Sequence, residues 1–354
     1  MRSGYEGLGN CWSVCFGGWR LPKNLQNVIG FFIFMNLDWM PQETLNAVER
    51  LNLALSVRSV PEIDDLLSKT VLFRGKKFRP TLCFLMGQLF QIPLDQLHPY
   101  ARAAEFVHAA TLSHDDVIDE SLVRRNRPTL NARTTNARAV LAGDLLLARV
   151  MAELSALGNT ALIHELALTV EALVSGEWLQ LEARGIIGVN RQHLETVAKN
   201  KTASLMAWCC IAPAHLAGVD ETVREAARKF GEALGIAFQM IDDVIDYDPS
   251  GEKPFARDLQ EGLVNFVTLE MLEHYPDLSG PLQKLLGKET KNSAWPWQAQ
   301  ELSAACDRVR ARAHAKLEAG DQILSQLSMA LSHPHFEALQ ALRSILVYLK
   351  ERIR

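Results

Sequence analysis

Residues 105–121 read EFVHAATLSHDDVIDES. The stretch has no proline or glycine, is mostly small and apolar, and ends in three aspartates, so it reads as a buried helix with a charged end. Residues four apart stand one above the other on a helix, so Asp115 and Asp119 project together and Asp116 sits roughly 100° round from them. His108 shares the Asp115 face two turns earlier. The pentapeptide DDVID recurs in FQMIDDVIDY, residues 238–247, which stacks Asp242 over Asp246 with Asp243 beside them.

The surrounding chain repeats the helical pattern. From Pro41 onward, beginning with PQETLNAVERLNLAL, apolar residues recur three and four apart, as at Leu45, Val48, Leu51 and Leu55. Runs over 100–119, 137–157, 160–184 and 221–247 contain no proline, and alternating strand patterns are nearly absent. Breakers fall between the runs, at RRNRPTLN, RGIIGVN and DPSGEKPFARD. The pattern predicts an all-α single domain over 36–354, a bundle of long antiparallel helices. AGDLLLARVMAELSAL and KTASLMAWCCIAPAHLAGV are apolar nearly all round, which places both at the centre of the bundle.

The 354 residues are 48% hydrophobic and 22% charged, with a net charge of −4. That balance supports a large core and gives no general attraction to nucleic acid. The cysteines, Cys11, Cys15, Cys83, Cys209, Cys210 and Cys306, show no zinc spacing and fit a reducing, cytoplasmic setting. Residues 1–35 differ in composition and read as a loose extension. Their run VIGFFIFM is too short to span a bilayer, and no convincing cleavage site follows it. Met35 stands as an alternative start.

Three carboxylates within five residues repel one another. A solvated helix face tolerates that, and a lone DDxxD suits such a face equally well. Here FVHAATL and LGIAFQMI lead into the clusters, so two jaws of one metal site fit better. Oxygen donors without sulfur or imidazole favour a hard cation, Mg²⁺ first, which takes further ligands from substrate phosphates. The basic segments suit phosphate: Lys76 and Arg79 in GKKFRP, Arg124 and Arg125 in RRNRP, Lys201 in KTASL, and Lys253. Lys77 and Arg127 read as ordinary surface cations. His108, on position alone, reads as a packed core histidine.

GKKFRP, EFVHAATLSHDDVIDES, RRNRPT, AGDLLLA, GEWLQL, KTASL, GIAFQMIDDVIDY and KPFARDLQEG occur in that order over about residues 70–270. Together they resemble the trans-polyprenyl diphosphate synthase family. The resemblance implies an isoprenoid synthase fold around a deep cavity, a homodimer, and Mg²⁺ (three ions to a site, with Mn²⁺ as a substitute). It assigns metal ligation to Asp115, Asp119 and Asp242, with Asp116, Asp243 and Asp246 close by, some through water. Arg124, Lys201, Gln239 and Lys253 would hold an allylic diphosphate, and Lys76, Arg79, His108 and Arg125 isopentenyl diphosphate. Asp115, Asp119, Asp242, Lys201, Gln239 and Arg124 would carry catalysis, with Thr202 and Gln239 turning oxygen dipoles toward a carbocation. Product length would be set below the first cluster, at Val107, Ala110 and Thr111. Both Ala110 and Thr111 are small, which implies a long product, C30 to C50, and Ala110→Phe would shorten it. Leu146, Leu147, Met151 or Trp178 would close the tunnel lower if these do not. A product of that length implies release at a membrane surface.

Four positions depart from the resembled pattern. Asn126 stands where the family writes glycine, Glu252 where it writes glycine before Lys253, and Leu263 where it writes lysine in the segment DLQEGLVN. Asn265 occupies the adjacent threonine place. A related terpene cyclase would need only one DDxxD and no GKKFRP, and a non-catalytic partner subunit would have damaged aspartate motifs.

Overall fold

The computed structural model describes residues 39–55, 60–72, 77–124, 127–249, 255–287 and 295–352. All of them lie in one compact unit, Asp38–Arg354. The extension over 1–35, Met35, Lys76, Arg125, Asn126 and Lys253 lie outside the described residues.

The described chain is helical apart from one small hairpin, in keeping with the all-α expectation. In order it forms α1 (Gln42–Glu49), α2 (Pro61–Lys69), α3 (Phe78–Leu89) and α4 (Leu94–Ile118), then the antiparallel pair β1 (Val123–Arg124) and β2 (Arg127–Pro128). Next come α5 (Leu130–Arg133), α6 (Asn136–Ala156), α7 (Thr160–Glu182), α8 (Arg191–Val197), a π-helical turn (Ala198–Ala203) and α9 (Ser204–Leu216). α10 (Glu221–Ile245), α11 (Arg257–Gln260), α12 (Phe266–His274), a 3₁₀ turn (Pro276–Leu278), α13 (Ser279–Leu285), α14 (Ala299–Ala330) and α15 (Phe336–Glu351) complete it.

Short polar side chains set where several helices start. Thr135, Asn159, Asn190, Asp220 and Asn265 each accept a backbone N–H from the residue three places on, satisfying a donor that the first turn leaves free. α4 starts earlier than the proline-free run suggested. It absorbs Pro99 in its second turn and extends back to Leu94.

α9 is buried from Leu205 through Ala214 and packs against α3, α4, α7 and α10, the central position expected of it. Trp208 on α9, Phe84 on α3, Phe106 on α4, Phe230 on α10 and Phe266 on α12 are fully enclosed. α6 differs from expectation. Within 142–157 it buries Ala142, Leu146, Val150 and Leu154 but leaves Asp144, Ala148, Ala152 and Leu157 exposed, and just before that stretch Val140 and Leu141 are exposed as well. α7 likewise exposes Leu168, Val174 and Trp178. Both helices therefore carry apolar side chains that the core does not cover. Among the described residues no helix is long and apolar enough to cross a membrane.

Candidate active site

The first acidic cluster closes α4. Asp119 is its C-terminal cap, with its N–H donating to the Asp115 carbonyl at 2.8 Å. The β1–β2 hairpin folds back over this end: the Thr129 N–H reaches the Leu122 carbonyl at 3.1 Å, and the Asn131 side chain donates to the Asp116 carbonyl at 3.1 Å. The hairpin thereby brings Arg124 to Asp116, where Nε donates to Oδ1 at 2.8 Å. Asp116 is 1% exposed, and burial raises its carboxyl above the ordinary range against the pull of Arg124. Asp115 keeps a partly open face. Burial pushes it up to about 7, with Lys201 pulling down and Glu177 pushing up.

Those two partners arrive on other elements. Lys201 and Thr202 lie in the π-helical turn between α8 and α9, an irregularity of the kind that often marks functional sites. Glu177 comes from α7 and pairs with the Lys201 ammonium. α7 can approach because residue 176 is glycine, where a Cβ would fall 2.6 Å from the Lys201 backbone nitrogen. On the other side Gly235 of α10 is equally close, a Cβ there falling 2.3 Å from the Ala203 Cα.

A polar chain runs from this turn to the second cluster. The Thr202 hydroxyl donates to Gln239 Oε1 at 2.8 Å, and Gln239 Nε2 donates to Asp243 Oδ1 at 2.8 Å. The other Asp243 oxygen accepts the Phe266 N–H at 3.0 Å. Burial, with Asp258 adding to it, drives the Asp243 carboxyl well above its ordinary value. Asp246 caps α10 just after Ile245, its N–H still donating to the Asp242 carbonyl at 3.0 Å. It turns inward and accepts the Asp258 N–H at 3.1 Å. Asp242 remains partly exposed, 3.9 Å from an Arg352 nitrogen.

The six aspartates thus divide into two sets. Asp115, Asp119 and Asp242 retain exposed oxygen, whereas Asp116, Asp243 and Asp246 are buried and engaged by the fold. No three of the six bring oxygens within 4.8 Å of one another. Among the described residues, the group that does is Glu270, Glu273 and His274. There the charge is already offset: buried Glu270 receives Arg191 at 2.8 Å, Arg308 at 3.0 Å and Arg312 at 2.9 Å. Burial works against the Glu270 carboxylate, but the arginines prevail and hold it below its ordinary range.

The basic residues on α3 lie deeper. Arg79 is half-buried in the first turn, and both it and Glu105 act on the Cys209 thiol, which burial raises to about 12. Lys77 is not the surface cation expected. It adopts a left-handed φ of 46° as the N-cap of α3 and pairs with Glu105 at 2.6 Å. His108 is half-buried on α4. Of the residues expected to set product length, Val107 and Ala110 expose no surface, while Thr111 is half-exposed. Leu146 is enclosed, Leu147 and Met151 are half-buried, and Trp178 lies 63% exposed on the outer side of α7.

Residues 60–301 match the polyprenyl synthetase family model. The chain belongs to the polyprenyl synthetase family. It is 34% identical over 258 residues to the mouse all trans-polyprenyl-diphosphate synthase, covering 70% of this chain and 62% of that one. It is 28% identical to the Escherichia coli octaprenyl diphosphate synthase, covering 88% of this chain and 99% of that one. The chain thus spans about three fifths of the mouse protein's length and nearly all of the bacterial one. A solved decaprenyl diphosphate synthase from Rhodobacter capsulatus superposes with a TM-score of 0.77 at 26% identity, covering 92% of this chain and 98% of that one. A polyprenyl synthase from Caulobacter crescentus, solved with calcium and isoprenyl diphosphate, gives 0.72 at 25% identity, over 95% of this chain and 99% of that one. The chain shares the all-α isoprenoid synthase fold of these polyprenyl synthetases.

Several residues around the polyprenyl synthetase motifs had no role in the sequence reading. Glu177 lies within the quoted GEWLQL, and Arg257 and Asp258 within KPFARDLQEG, but spacing alone does not couple them to Asp115 or Asp246. Arg184 sits in RGIIGVN, a segment read only as a helix breaker. Its Nη2 donates to Asp119 Oδ1 at 2.7 Å.

Proposed function

We propose that this protein condenses an allylic prenyl diphosphate with isopentenyl diphosphate, head to tail, and releases pyrophosphate. The observation that carries the reading is one continuous arrangement. Asp115, with its carboxyl raised to about 7, faces Lys201, and the Thr202–Gln239–Asp243 hydrogen bonds join that π-helical turn to the second acidic cluster.

The donor set fits a hard divalent cation. Asp115, Asp119 and Asp242 offer carboxylate oxygen with no sulfur or imidazole, which suits Mg²⁺, or Mn²⁺ in its place. These three residues would hold it, and Asp116, Asp243 and Asp246 would fix the backbone around them. Bound there, Mg²⁺ supplies charge stabilisation for a departing pyrophosphate. Lys201 and Arg124, both set beside the acidic clusters, bind and orient the allylic diphosphate and stabilise negative charge developing as the C–O bond breaks. The Gln239 and Thr202 oxygens would turn their dipoles toward the resulting allylic cation. Arg79 and His108, joined by Lys76 and Arg125, hold isopentenyl diphosphate so that its double bond attacks that cation, a positioning effect. The proton lost afterward passes to pyrophosphate, so no side-chain base is required.

Thr111 is small and half-exposed one turn below Asp115, which supports a long product, C30 to C50. The relatives named above carry polyprenyl, octaprenyl and decaprenyl designations, in agreement with that length. The exposed apolar side chains on α6 and α7 support a homodimer, and the length of the product supports release from a cytoplasmic protein at a membrane surface. Residues 1–35 would be an extension outside the catalytic domain, 36–354.

The test is incubation with farnesyl diphosphate, isopentenyl diphosphate and Mg²⁺ followed by sizing of the products. Chains lengthened by successive isoprene units are expected. A cyclic hydrocarbon formed from farnesyl diphosphate alone would overturn the proposal.

A further inference from the structure

Arg184 links the first acidic cluster to the turn that follows the second. It lies just beyond α7, and the next residue anchors it: the Gly185 N–H donates to the Gly262 carbonyl at 2.8 Å. Gly262 has a φ of +86°, and a Cβ there would come 3.1 Å from the Arg184 Cγ. The arginine stem therefore runs across a turn that only glycine fills comfortably. That turn is fastened to the second cluster at both ends. The Asp258 N–H donates to Asp246 at 3.1 Å and the Phe266 N–H to Asp243 at 3.0 Å, while the Leu263 N–H closes the turn on the Asp258 carbonyl at 2.8 Å. From this base the guanidinium reaches the first cluster, donating to Asp119 at 2.7 Å.

The chain carries leucine at position 263, beside Gly262, where the resembled pattern has lysine. A charge missing from that position has a geometric substitute one residue away, on the stem laid over Gly262. Arg257 on α11 is paired with Glu261 at 2.6 Å, and Asp258 and Asp119 act on it more weakly. The Arg184 guanidinium, set on Asp119, presents several parallel donors, which suits a phosphate better than a single carboxylate oxygen does.

We propose that Arg184 is a diphosphate-binding residue of this site, supplying from the end of α7 the positive charge that Leu263 does not carry. The inference rests on reading the two arms as the jaws of an allylic diphosphate site. Its ligand is the diphosphate group itself, so inorganic pyrophosphate is the probe.

The experiment combines calorimetric titration of the full-length protein with pyrophosphate and Mg²⁺ and steady-state kinetics on both substrates. Arg184→Leu is expected to weaken pyrophosphate binding and raise KM for farnesyl diphosphate by about ten-fold or more, with KM for isopentenyl diphosphate unchanged. Adding Leu263→Lys to that variant is expected to recover most of the loss, which a merely structural Arg184–Asp119 pair would not allow. Arg184→Lys, which keeps the charge and is the gentler change, is expected to fall between. A folded Arg184→Leu protein that binds pyrophosphate as the wild type does, or a double variant that recovers nothing, would overturn the inference. A wild type that binds pyrophosphate through Arg184 but never elongates leaves this inference standing and sinks the elongation reading. An elongating wild type indifferent to Arg184→Leu does the reverse.

Discussion

Asp115 has the most informative surroundings of the six aspartates. Its carboxyl is half-buried between Lys201 and Glu177 and raised to about 7. A carboxyl raised in this way favours the fold below the ordinary aspartate range, and its contribution is lost as pH rises through about 7. A cation that binds the ionised form displaces the proton and reverses that loss. The increase in Tm produced by Mg²⁺ is therefore expected to grow between about pH 6 and about pH 8, read by thermal denaturation with and without the ion. An increase independent of pH would contradict the role given to Asp115. The product-length residues separate just as clearly. Ala110 exposes no surface, so a phenylalanine there overpacks a closed core at a cost of about 1–3 kcal/mol. Thr111 is half-exposed, so Thr111→Phe is expected to shorten the product with little loss of Tm, and unchanged product length would refute the floor. The pairing of Asp115 with Asp119 was legible because a helix fixes the geometry of i and i+4. Arg184 was not, because it reaches Asp119 across 65 residues and no local period encodes such a contact.

At the scale of elements, helix contacts set the site more than helix identities do. The long helices α6, α7 and α10 were readable from proline-free apolar runs to within a few residues. The π-helical turn was not, because KTASL has the same apolar period whether its hydrogen bonds close at four residues or at five. Nor could the period tell that the Asp246 side chain turns inward to accept the Asp258 N–H and so serves the fold. What makes room for the π-helical turn is Gly176, a Cβ at that position falling 2.6 Å from the Lys201 nitrogen. Gly176→Ala is expected to shift the turn, lowering Tm by the equivalent of about 1–3 kcal/mol and reducing kcat more than it raises KM for isopentenyl diphosphate. Equal activity in the alanine variant would show that Lys201 does not depend on this approach. Glu270 ties elements together away from the site. It gathers arginines from α8 and α14 onto α12, and these offset the charge of the group Glu270, Glu273 and His274.

For the whole molecule, the composition predicted a well-filled helical domain, and the described residues form one. The reading failed where an apolar helix was assumed to be central. The stretch 142–157 reads as apolar nearly all round, yet Ala148, Ala152 and Leu157 are exposed in it, as Leu168, Val174 and Trp178 are on α7. Periodicity registers apolar surface but does not say whether the chain's own core or a second copy covers it. Trp178→Glu is expected to convert a dimer to monomer in light scattering, and an unchanged mass would remove this face from the interface. The central claim concerns the reaction, and one measurement addresses it most directly. Wild type and Asp115→Ala are each supplied with farnesyl diphosphate, isopentenyl diphosphate and Mg²⁺, and the isopentenyl units incorporated per farnesyl primer are counted. The wild type is expected to add several units to each primer, and the variant to lose about a thousand-fold or more in rate. A wild type that incorporates no isopentenyl unit, or a variant as fast as the wild type, would contradict the account.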